Sequence, residues 1–252
     1  MGYWNKFSIQ EVAPNMAYAQ STTQYIPAAN TDEETRSAFL VRVYQHVALA
    51  VLAFVAFEAV LFVTGIADFM LETFGGSNML WLLLIGLMWL GGTLSTNAAL
   101  KIDNPNLQYA GLFGQAGIYS LVFAPLLKVV ADSDGGSGIL VQAAVITLVG
   151  FAGLTVIGMT TSRDLSFLRP MVMWAGFVAL GLIVAALLFG LSLGIWFSVG
   201  MIALSGVSIL YQTQNVVRQF PAWAHVAAAL GLFSSLMTMF YYVVRLLAQM
   251  RR

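Results

Sequence analysis

The sequence predicts an all-α membrane protein, a bundle of seven transmembrane helices. Three observations carry that expectation. The chain is 60% hydrophobic and only 9% charged, against roughly 25% charged residues in soluble domains, and its mean hydropathy is +0.84. Apolar runs of about 20 residues recur along it, each long enough to cross roughly 30 Å of hydrocarbon as a helix. None of them alternates residue by residue as a spanning strand would. A helix, by contrast, pairs its own backbone polar groups within lipid.

In chain order, residues 1–35 are rich in Gln, Asn, Ser, Thr, Tyr and Pro and end in the acidic cluster Asp32, Glu33 and Glu34. They lack apolar mass and read as a disordered polar tail. Residues 36–252 form the transmembrane domain. No apolar core of a cleavable leader precedes the first span, so that span is expected to target the chain. The spans are expected near 44–66, 79–98, 107–127, 139–160, 168–190, 194–212 and 223–246. The polar stretches "DFMLETFGGSN" (68–78), "KIDNPN" (101–106) and "ADSDGGSG" (131–138) are read as links. The last opens like a calcium loop but lacks the glutamate about twelve residues in, so no metal ion is expected there.

Several polar side chains interrupt these runs. Glu58, in "VAFEAVLF", is the only acid deep in a predicted span. A carboxyl in lipid must be protonated or partnered, and Gln142, at similar depth in the fourth span, is the candidate partner. Toward the other end lie Gln115, Gln212, Gln214, Ser234, Ser235 and Thr238. Neutral groups of this kind either hydrogen-bond across helices as packing contacts or line a watery vestibule. Gly111, Gly114 and Gly117 give the third span a small-residue face for close approach. His46 and His225 are expected as solvated interfacial histidines, and Trp81, Trp196 and Trp223 as interfacial anchors.

Short internal loops carry Lys101, Arg163, Arg169 and Arg218 on one side and Lys128 on the other. Positive residues favour the cytoplasmic side, so the N-terminus is expected in the cytoplasm and the C-terminus outside. Net charge is zero, which argues against a nucleic-acid partner. There is no cysteine, so disulfides, thiolate metal sites and cysteine nucleophiles are excluded. No HExxH and no intramembrane pair of aspartates is present. Neither an enzyme nor a cofactor is expected.

"FLVRVYQHVALAV" (39–51), "LQYAGLFGQAGIYSLVFAPLL" (107–127), "TSRDLSFLRPMV" (161–172), "ILYQTQNVV" (209–217) and "AALGLFSSLMTMFYYVVRLL" (228–247) occur in this order. Together they resemble the Bax inhibitor-1 (transmembrane Bax inhibitor motif, UPF0005) family over about residues 36 to 247. The resemblance implies seven helices with the last at the centre, wrapped by six others. It also implies that calcium-leak members pair two aspartates, one in a Tyr-Asp-Thr motif ending the sixth span and one in a Leu-Tyr-x-Asp motif in the seventh. Here those motifs read Tyr211-Gln212-Thr213 and Leu232-Phe233-Ser234-Ser235, so Gln212 and Ser235 stand at the two aspartate positions. Gln142 stands where many members place a glutamate.

Two carboxylates in contact share a proton and titrate as a unit, whereas an amide and a hydroxyl have no proton to lose near neutrality. Calcium also prefers sites rich in carboxylate oxygen. The resemblance is nearest to a bacterial inner-membrane branch that modulates an AAA protease. Features shared with that branch are "STNAAL" (95–100), "RDLSFL" (163–168) and a cytoplasmic N-terminal tail. The expected function is therefore a non-enzymatic inner-membrane regulator whose partners are the bilayer and possible membrane proteins such as that protease. The alternative is a calcium or proton leak, with candidate polar-core or pore residues Glu58, Gln115, Gln142, Gln212 and Ser235.

Overall fold

The computed structural model describes residues 27–75, 77–101 and 104–251, and among them the chain is all-helical. Its helices are α1 (Glu33–Val63), α2 (Ile66–Gly75), α3 (Asn78–Ala99), α4 (Pro105–Ala131), α5 (Gly136–Thr160), α6 (Leu168–Phe189), α7 (Ile195–Arg218) and α8 (His225–Met250). All but α2 are long and apolar enough to cross a membrane. The seven expected spans coincide with these seven helices, though α1 begins well before residue 44 and α7 runs on past residue 212 to Arg218.

Local chemistry sets the helix ends. The Asp32 carboxylate accepts from the backbone N–H and the hydroxyl of Thr35, both at 2.8 Å. Glu33 and Glu34 in the first turn of α1 complement the positive end of the helix dipole. Asn104 caps α4 by accepting from Leu107 N–H at 3.2 Å, with Pro105 opening the helix. Gly190 ends α6 at φ +67°, a left-handed conformation that a glycine adopts without steric cost.

Two boundaries differ from the sequence expectation. Residues 1–26 lie outside the described residues, but residues 27–35 are not a disordered tail. Pro27 bridges Pro221, Ala28 N–H donates to Phe220 O at 2.8 Å, and Ala28 is fully buried. The short strap ahead of α1 is thus fixed to the link between α7 and α8. The stretch 68–78, expected as a polar link, is mostly the helix α2. It lays Ala67 and Met70 against Ala124 of α4, and Lys128 holds Asp68 at 2.9 Å and Asp132 at 3.0 Å.

Helix α8 is the core of the bundle. In its most apolar stretch 72% of the residues are buried, against 6% in α6. It packs on α1, α3, α4, α5 and α7. Helix α6 instead packs chiefly on α7 and α3, so it stands at the periphery rather than completing a ring around α8. Lipid is as apolar as leucine, so association depends on close packing. The sequence supplies it at glycine positions. A methyl on Gly111 would lie 2.6 Å from Ser95 O of α3, and one on Gly158 of α5 would lie 2.9 Å from Thr213 Cβ of α7. Aromatic rings fill the space around α8, with Tyr119 5.5 Å from Phe233 and Phe123 4.9 Å from Tyr241, centroid to centroid.

Candidate functional site

On α7, Ser208 and Gln212 are four residues apart and so share one helix face. That face meets Ser235 of α8. Gln212 Nε2 donates to Ser235 Oγ at 2.8 Å and to Ser208 Oγ at 2.9 Å, and the two hydroxyls lie 2.9 Å apart. The three form a closed triangle across the α7–α8 junction. Ser235 lies ten residues into α8, about 15 Å along its axis at 1.5 Å per residue. The triangle therefore sits near the middle of α8.

Gly231, one turn before Ser235, makes the room. A methyl there would lie 3.0 Å from Gln212 Oε1. Beside the triangle, Gln115 of α4 donates to Ser234 Oγ at 3.2 Å. Ser234 and Thr238 return their hydroxyl protons to the carbonyls of Leu230 and Ser234, both at 2.8 Å. None of the hydrogen bonds at this junction involves a carboxylate, and among the described residues no three His, Cys, Asp or Glu side chains gather to hold a metal.

The other sequence candidates fall elsewhere. Glu58 is buried, and neither of its carboxyl oxygens has a partner among the described residues. Gln142 does not meet it, contrary to expectation. Its side chain is exposed within the first two turns of α5, and its Oε1 accepts from Arg251 at 3.3 Å. Similar depth along two helices does not place two side chains on facing sides. Glu58 itself lies five residues from the end of α1, about 8 Å by helical rise, toward the opposite end of the bundle from Gln212.

Gln214 likewise leaves the polar core. Its amide grips the α5–α6 link, donating to Arg163 O at 2.6 Å and accepting from Leu165 N–H at 2.7 Å. Arg218 adds contacts at 3.2 Å to the carbonyls of Thr161 and Ser162. Within the link, Asp164 accepts from Ser166 N–H and Oγ, both at 2.9 Å. Those bonds, with Arg218 nearby, hold its carboxyl below the usual carboxylate range.

Sequence reasoning missed three features. Ser208 was overlooked although its i, i+4 spacing to Gln212 signals a shared face. His46 and His225 are not separate solvated groups: their rings stand 4.9 Å apart, and His46 Nε2 is 3.2 Å from the Tyr109 hydroxyl. Trp81 is not simply an interfacial anchor, since it lines a cavity between α3, α4, α6, α7 and α8 that no pattern in the sequence announces.

Two bacterial proteins are similar to this chain in sequence. An uncharacterized protein of Campylobacter jejuni is 31% identical over 196 residues, 75% of this chain and 79% of that protein. An uncharacterized protein of Pseudomonas aeruginosa is 26% identical over 147 residues, 58% of this chain and 66% of that protein. Residues 36–252 match the family described as inhibitor of apoptosis-promoting Bax1, which takes in all seven spanning helices but for the first three residues of α1. The chain is therefore a multi-pass membrane protein of the Bax inhibitor-1 family.

Proposed function

We propose that this protein is a non-enzymatic inner-membrane regulator that acts by binding membrane partners such as an AAA protease. In this reading the N-terminus is cytoplasmic and the C-terminus outside. The observation that carries it is the neutral triangle of Gln212, Ser208 and Ser235. A gate that opens with pH needs a group that changes charge near neutrality, and none of these three does. The junction holds the two helices together at any physiological pH, which suits a static scaffold that presents surfaces. The strap at residues 27–30, docked beside the α7–α8 link, gives residues 1–26 a fixed point of departure from the bundle on the side assigned to the cytoplasm.

The test is capture of the protease from native membranes by the full chain and by a chain lacking residues 1–26, which leaves Ala28 seated. Capture by the full chain supports the proposal, and its loss without residues 1–26 would assign the contact to them. Capture by neither defeats it.

A second reading, a calcium or proton leak, has one observation in its favour: the buried and unpartnered carboxyl of Glu58. Vesicles holding the purified protein distinguish the two. A regulator passes no calcium or protons above protein-free vesicles between pH 6 and 8. A leak through Glu58 gives a flux that Glu58→Gln removes.

A further inference from the structure

A cavity of about 660 Å³ lies between peripheral α6 and central α8, bounded also by α3, α4 and α7. Its size falls within the roughly 300–1,000 Å³ of small-molecule sites. The walls are mostly apolar, from Ile85, Met88 and Val122 on one side to Ala179 and Ile183 on the other. At the end near the α6–α7 link stands Arg245, which also borders a second, smaller cavity of about 310 Å³.

Arg245 is half-buried, and among the described residues it forms no salt bridge. One of its N–H groups donates to Leu193 O at 2.8 Å, and its guanidinium lies 5.9 Å from the centre of the Phe197 ring. These contacts hold the cation at the cavity instead of leaving it free to reach toward bulk water, the usual resort of an arginine near a helix end. A guanidinium carries five donors in a planar fork, so most of its capacity is left for an anion. Asn78 of α3 donates to Leu187 O of α6 at 2.8 Å, fastening the rim nearby.

The length of the cavity fits one kind of ligand. From Arg245 it extends inward to Thr238 along α8 and from Gly190 to Gly176 along α6, about 10 to 20 Å by helical rise. Half of a roughly 30 Å hydrocarbon core is about 15 Å, which is the depth that one acyl chain of a single leaflet occupies. An apolar slot of that depth, with a cation near the membrane surface, matches a phosphate headgroup joined to a hydrocarbon chain.

We propose that this cavity is a binding site for one anionic phospholipid of the leaflet on the α6–α7 link side. Its phosphate pairs with Arg245 and one acyl chain lies between α6 and α8.

The full chain, purified in detergent, is titrated with phosphatidylglycerol, phosphatidylcholine or oleate, and bound lipid is counted by native mass spectrometry. One phosphatidylglycerol is expected to bind about tenfold more tightly than phosphatidylcholine, which carries the same phosphate but also a choline cation that Arg245 repels. Arg245→Gln is expected to erase that preference. Gly176→Leu places its side chain toward the cavity at a position where an added Cβ meets nothing within 4 Å. It is expected to abolish the one-to-one complex with the fold intact, and it stands in should Arg245→Gln fail to fold. Equal binding of the two phospholipids, oleate binding as tightly as phosphatidylglycerol, or a preference that survives Gly176→Leu would each overturn the assignment.

Discussion

The neutral junction between α7 and α8 makes a quantitative prediction. Ser235→Ala removes the acceptor for Gln212 Nε2 and the partner of Ser208 Oγ. Hydrogen bonds between membrane helices average about 0.6 kcal/mol in double-mutant cycles, with an upper value near 1.7. Two lost bonds therefore give a destabilisation of about 1.2 kcal/mol. Gln212→Ala loses its bonds to Ser208 and Ser235 and also leaves space where its amide was.

The sharper quantity is the coupling between residues 212 and 235, which isolates the bond they share. It is expected at about 0.6 kcal/mol, and at most roughly 1.7. The four proteins of the cycle are unfolded reversibly in mixed detergent at pH 6 and at pH 8. Because neither side chain titrates in that interval, the coupling is the same at both. A coupling of zero, or one that differs between the two pH values, refutes the argument.

The remaining predictions concern packing and the α5–α6 link. Gly158→Ala presses a methyl to 2.9 Å from Thr213 Cβ and 3.2 Å from Leu210 O, and is expected to cost about 1–3 kcal/mol in the same unfolding assay. Gly153→Ala, on the same helix with nothing within 4 Å of the added atom, should be neutral or stabilise by up to about 1 kcal/mol; equal effects would mean that α5 and α7 are not in close contact. Gln214→Ala releases Arg163 O and Leu165 N–H, so proteolysis within residues 161–167 should accelerate severalfold. Asp164 is held below the ordinary carboxylate range. Its contribution to order in that link is thus complete above about pH 4, the usual aspartate value, and is lost as pH falls through the lower folded value. Hydrogen exchange at Ser166 N–H, compared between pH 6 and strongly acidic buffer after correction for intrinsic rates, checks this.

The seven spans were largely written in the sequence, because runs near 20 apolar residues act through neighbours close along the chain. Their ends were less so: α1 begins at Glu33 rather than near 44 and α7 runs on to Arg218. The amphipathic α2 was overlooked because a ten-residue helix among polar residues resembles a link until Met70 and Ala67 have α4 to lie against. The strap at 27–30 was overlooked for a related reason: its order comes from Phe220 and Pro221, nearly two hundred residues away.

Composition determined that the protein lives in lipid, and the motifs of the last two spans determined that neutral side chains, the amide of Gln212 and the hydroxyl of Ser235, stand there. Only the tertiary structure decided which polar groups meet. It joined Gln212 to Ser208 and Ser235, sent Gln214 to a loop and Gln142 to Arg251, left Glu58 unpartnered, and opened a cavity under Arg245. The reason is rotational. Hydropathy and helical rise give the depth of a residue in the membrane, but the direction its side chain takes around the helix axis is fixed by which glycines and aromatics let neighbouring helices approach.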